Sequence, residues 1–153
     1  MSGSRRALGF AWPVLVALAA LAAPRVVLHD LGIVEEGSVA NGLLVFVPPA
    51  LWIAAVVWRR PARPFLTVVV IGAVYGVFLA AGHQALWHVA FDGGAPTLAG
   101  VDPTSGELVV RAFAVVSSLV TGTLVGVVAG AVALLLIRVV PADSGGDRSK
   151  DLT

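Results

Sequence analysis

Residues 108–140, LVVRAFAVVSSLVTGTLVGVVAGAVALLLIRVV, decide the fold. The only charges in this run are Arg111 and Arg138. A helix of about 20 mostly apolar residues crosses the roughly 30 Å hydrocarbon layer of a bilayer, so the run is long enough to span it with turns to spare. A strand reading is disfavoured, because hydrocarbon leaves unpaired backbone groups unsatisfied and barrel-type alternation is missing. Within the run, Ala114, Ser118, Gly122, Gly126 and Gly130 recur at every fourth position. Residues four apart share one helix face, so the helix carries a stripe with almost no side chain. Such stripes let a second backbone come close in lipid, where hydrophobic transfer does not drive association.

Three further apolar runs precede it, at about 7–28, 39–58 and 65–89. The expected fold is all-α, a four-helix transmembrane bundle over residues 1–140. Residues 141–153 are rich in Gly, Ser and Asp and read as a disordered cytoplasmic tail. Composition agrees. Of 153 residues, 58% are hydrophobic and 12% charged, with a mean hydropathy of +0.95. That charge fraction is about half that of a soluble domain, and so small a globule has too much surface to bury this much apolar side chain. The net charge of +1 gives no reason to expect nucleic acid as a partner. Cysteine is absent, which excludes disulfides and thiolate metal sites. Arginine outnumbers lysine nine to one, in keeping with a GC-rich bacterial origin.

Lys and Arg set the expected orientation. Eight of the ten basic residues, Arg5, Arg6, Arg59, Arg60, Arg63, Arg138, Arg148 and Lys150, fall on one side of the four spans. Only Arg25 and Arg111 fall toward the other, where Asp30, Glu35, Glu36, Asp92, Asp102 and Glu107 gather. The expected location is the cell membrane, with both termini cytoplasmic and two acidic loops facing outward. A signal peptide is the competing reading of the first span, from Arg5-Arg6, an apolar core and the small residues Ala20-Leu21-Ala22. Apolar character resumes at Val26, Val27 and Leu28, which favours a retained span.

Local signals mark the helix ends. Ser38 is placed to cap the second helix and Pro64 suits the first turn of the third. Thr104-Ser105-Gly106-Glu107 has capping-box spacing for the fourth, and Asp102-Pro103 offers an earlier start. Pro48-Pro49 interrupts the second helix near its middle, where a kink is expected. Gly72, Gly76 and Ala80 make a shorter small-residue face on the third helix. It is the expected partner for Gly122, Gly126 and Gly130. The same stripe could instead serve a second copy or another membrane protein.

A polar layer is the candidate site. Arg25, Asn41, His83 and Thr121 each lie seventeen to nineteen residues along from the basic end of their helix. Gln84 and Ser118 fall at nearly the same depth. His83 is two turns from Gly76, and Ser118 is on the stripe, so both are expected to face the bundle interior. Inward-facing polar groups at this depth are either interfacial hydrogen-bonding residues or a ligand site. Trp12, Trp58 and Trp87 read as headgroup-level indoles, whereas Trp52 and Tyr75 lie deeper and need partners inside the bundle.

Chemistry finds little support. His29, His83, His88 and Asp92 could supply metal ligands, but no tight spacing such as His-x-x-x-His is present, so no metal or other cofactor is expected. Acyl transfer would need His83 with Ser117 or Ser118, and the sequence identifies no carboxylate to orient that histidine. No catalytic residue is assigned. The expected role is a non-enzymatic accessory or assembly subunit acting through helix contacts. The alternative is a small transporter or channel component with an outward polar vestibule.

Overall fold

A computed structural model describes residues 7–91, 94, 96, 98 and 100–140. Arg5, Arg6, Asp92 and the tail expected at 141–153 lie outside the described residues. Those residues are all helical in their regular structure: α1 (Trp12–Ala20), α2 (Ala23–Asp30), α3 (Val39–Arg59), α4 (Pro64–Ala85), α5 (Trp87–Ala90) and α6 (Pro103–Val139). Taking α1 and α2 together, four helical stretches are long and apolar enough to cross a membrane.

The first stretch is broken where the sequence suggests one continuous helix. At Leu21 and Ala22 the backbone tightens, with Leu21 N–H donating to the Leu18 carbonyl and Ala22 N–H to the Ala19 carbonyl. Pro24, in the first turn of α2, has no N–H for the Ala20 carbonyl, so the ladder stops there. The Leu18 carbonyl, which would accept from Ala22 in an unbroken helix, accepts the Trp52 indole N–H at 2.7 Å. Trp52 is fully buried and meets Tyr75 edge-on, ring centroids 5.9 Å apart.

Ser38 caps α3, its Oγ accepting the Asn41 N–H at 3.2 Å, and the helix runs through Pro48-Pro49 without interruption. Pro64 opens α4. The third stretch stops being one helix at Leu86 rather than running unbroken to residue 89. After that corner, α5 turns Trp87 inward to 3% exposure, so its indole packs against the bundle and not outward. α6 begins five residues before Leu108. Asp102 caps it by accepting the Ser105 N–H, and Pro103 fits the first turn. At 37 residues α6 is about 55 Å long, well beyond the hydrocarbon thickness.

The most extensive helix contact in the bundle is between α4 and α6. A Cβ built on Gly72 would lie 2.5 Å from the Gly122 carbonyl oxygen and 2.6 Å from Gly126 Cα. One on Gly76 would lie 3.0 Å from Leu119 Cα. Gly130 faces Phe65. Gly122, Gly126 and Gly130 are all buried, so the stripe is occupied by α4 within the chain. The other helices complete the bundle around α4, with α3 also packing on α6, whereas α2 and α6 make no extensive contact.

The two ends of the bundle differ. At the end carrying Arg59, Arg60 and Arg63, Thr67 Oγ1 donates to the Leu8 carbonyl, and Arg60 donates to the carbonyls of Ile137 and Val140, capping α6. The opposite end carries Asp30, Glu35, Glu36 and Glu107.

Candidate functional site

Glycine positions the site. Gly82 lies against Val26, and a Cβ there would meet Val26 Cγ1 at 2.8 Å, so α2 sits directly on α4. Asp30 follows Val26 by one turn and His83 follows Gly82 by one residue. The result is an Asp30–His83 pair, His83 Nδ1 donating to Asp30 Oδ2 at 2.7 Å. The Asp30 side chain is only 6% exposed. Its other oxygen faces His29 Nδ1 at 3.4 Å, and His29 Nε2 faces Glu36 at 3.2 Å. A neutral imidazole has one N–H and can donate to only one of these two carboxylates at a time.

Beside this pair lies a cleft of about 730 Å³ in the gap between α2 and α6, with α4 and α5 also contributing walls. Three of the six polar-layer residues, His83, Ser118 and Thr121, line it together with Asp30, His29 and Ser117. The other three lie elsewhere. Arg25 is turned toward α3, where its Nε donates to Asn41 Oδ1 at 3.3 Å. Gln84, one residue round the helix from His83, donates to the Arg111 carbonyl on α6 at 3.3 Å. Matched depth therefore does not make one shared pocket, because the helical rotation of each residue sends it to a different neighbour.

Arg111 anchors a second polar group. It donates to Glu107 at 3.0 Å and to His88 Nε2 at 3.3 Å, and its guanidinium stands 4.9 Å from the centroid of the Trp87 ring. Phe91 packs on the same indole at 4.7 Å. The Trp87 N–H is buried with no hydrogen-bond partner among the described residues. His88 thus belongs with Arg111 and not with His83. No group of three or more His, Asp or Glu among the described residues is placed to hold a metal ion.

Asp30 is the partner of His83 that sequence reasoning missed. It reads as one more acid in an acidic loop. The available signal was its position at the end of an apolar run, directly after His29, at a depth close to that of His83. This carboxylate orients His83, yet a serine nucleophile is not in place. Ser118 Oγ donates to its own helix at Ala114, 2.7 Å away, and no hydrogen bond joins His83 to a serine among the described residues. Compared with known proteins, the chain matches no family model, no curated protein and no solved structure.

Proposed function

We propose that this chain is a four-span integral protein of a bacterial cell membrane, with both termini and the loop at 60–63 cytoplasmic. It acts as a non-enzymatic accessory subunit that presents a binding vestibule on the outer face. The orientation rests on the clustering of eight of ten basic residues at one end. The observation that carries the functional reading is the Asp30–His83 pair, with its buried carboxylate, beside a cleft at the acidic end. Ionisable groups held inside a spanning bundle are costly and mark sites by default. The cleft has the size of a small-molecule site.

A conducting pore is the second reading, and the core weighs against it. Below the cleft, Leu15, Trp52, Val56, Val68, Ile71 and Ala133 are fully buried and close the interior with apolar side chains. The arrangement favours a vestibule that binds over a channel that passes solute. The glycine stripe of α6 is filled by α4, so contacts with a partner subunit use the outer faces of the helices, in the bilayer.

Single cysteines test this, since the chain has none of its own. A cysteine at Ser117 should react from outside intact cells with a membrane-impermeant thiol reagent. One at Ala62 should react only after permeabilisation, and one at Ala133 from neither side. Labelling of the Ala62 site in intact cells reverses the orientation, and labelling at Ala133 restores the pore reading.

A further inference from the structure

The vestibule reading leaves open what the cleft takes, and its charge is informative. Among the described residues Asp30 pairs with no lysine or arginine. The nearby guanidinium groups are committed elsewhere, Arg25 to Asn41 and Arg111 to Glu107. The partners of Asp30 are two imidazoles, which offset its charge only when protonated, and one of them is shared with Glu36. A buried carboxylate without a full positive partner is an expensive arrangement. Among the described residues no lysine or arginine lines the cleft, while Leu79, Val89, Phe91 and Trp87 give it apolar and aromatic walls.

We infer that the cleft binds a hydrophobic organic cation, its charge set against Asp30 and its apolar body against Leu79 and Phe91. The inference rests on the vestibule reading and adds the ligand class. Asp30 supplies the charge selection. His83 holds the carboxylate in place through its 2.7 Å hydrogen bond and is a positioning residue. Phe91, still partly exposed, offers a ring to a ligand cation.

The test is equilibrium binding to the full chain in nanodiscs of zwitterionic lipid. Two probes of the same shape and opposite charge are compared, tetraphenylphosphonium and tetraphenylborate. Saturable binding of the phosphonium alone is expected. Asp30→Asn should weaken it roughly tenfold or more, the scale of losing one partly buried charge partner. Asp30→Glu should retain most of it, and thermal unfolding checks that both variants fold. Ala114→Trp, which fills the cleft, should abolish binding. If Ala114→Trp blocks both probes while probe charge and Asp30→Asn make no difference, the cleft takes amphiphiles regardless of charge. The cation inference then falls and the vestibule stands. Phosphonium binding that survives Ala114→Trp, or no binding of either probe, also overturns the inference. The vestibule reading itself fails separately, if a cysteine at Ser117 stays unlabelled from outside.

Discussion

Val26 fills the space that a Cβ on Gly82 would need, and this contact brings Asp30 to His83. A packing feature therefore sets the geometry of a polar pair one turn away. The two helices approach because Gly82 has no side chain, and their polar ends then meet at hydrogen-bonding distance.

Gly82→Leu should separate α2 from α4. Forcing a side chain against Val26 costs about 1–3 kcal/mol of stability, as overpacking does elsewhere. The expected outcome is a lower melting temperature in detergent, together with a changed imidazole nitrogen signal from His83. Gly42→Ala is the control, since apart from its chain neighbours and its own helix backbone nothing lies within 4 Å of the site of its Cβ. It should be neutral or slightly stabilising, because alanine favours a helix. A Gly82→Leu protein with an unchanged His83 signal would show that Asp30 reaches His83 by some other route.

Gly122 is the least tolerant position of the α4–α6 interface. Its missing Cβ would run into the Gly76 backbone, and the Gly72 carbonyl oxygen is also only 2.6 Å away. Backbone atoms on the facing helix leave no flexible side chain to move aside. Even Gly122→Ala should therefore destabilise by about 1–3 kcal/mol. Gly126→Ala, with its nearest contact at 3.0 Å, should cost less. Thermal unfolding of the two single variants checks the order, and a reversed order contradicts the packing described.

Hydropathy and helix-end chemistry made much of this fold legible. Four apolar runs, Ser38 at a cap and Pro64 at a first turn all follow from rules that act within one helix. The spacing of Gly72 with Gly76 and of Gly122 with Gly126 also marks two small faces, and those faces meet in the structure. What sequence reading lacked is rotation about each helix axis. Depth along four helices places Arg25, Asn41, His83, Gln84, Ser118 and Thr121 in one layer. Rotation then divides them between the cleft, an Arg25–Asn41 pair and the Arg111 carbonyl. The Asp30–His83 pair joins residues 53 apart in sequence and depends on the Gly82–Val26 contact, which no local rule contains. The break at Leu21-Ala22 was readable from Pro24, but its use by Trp52 was not.

Trp52 tests that last link. Its indole N–H donates at 2.7 Å to the Leu18 carbonyl, which the break between α1 and α2 leaves with a 3.3 Å bond from the Leu21 N–H and none from Ala22. Trp52→Phe keeps most of the ring volume and removes the donor. The expected loss is about 0.5–1.5 kcal/mol, the net worth of one hydrogen bond. Pro24→Ala should reduce the effect of Trp52→Phe, because an unbroken helix would give the Leu18 carbonyl the Ala22 N–H in place of the longer bond from Leu21. Fully additive losses in the double variant would disprove that coupling.

Asp102 gives the bundle an acid-sensitive helix end. Its carboxylate accepts the Ser105 N–H at 3.0 Å, which holds the Asp102 carboxyl below its ordinary value. It also stands at the positive end of the α6 dipole. Because the group's value is lower folded than unfolded, its contribution is present above the unfolded value. The contribution is lost as pH falls through the folded one. Asp102→Asn caps a helix about as well and does not titrate. At neutral pH the wild type and Asp102→Asn should melt together, with Asp102→Ala below both. As pH falls through and below the ordinary carboxylate range, the wild type should drop toward Asp102→Ala, while the gap between Asp102→Asn and Asp102→Ala persists. Equal acid sensitivity of the wild type and Asp102→Asn would remove Asp102 from the acid response and place it on the other carboxylates.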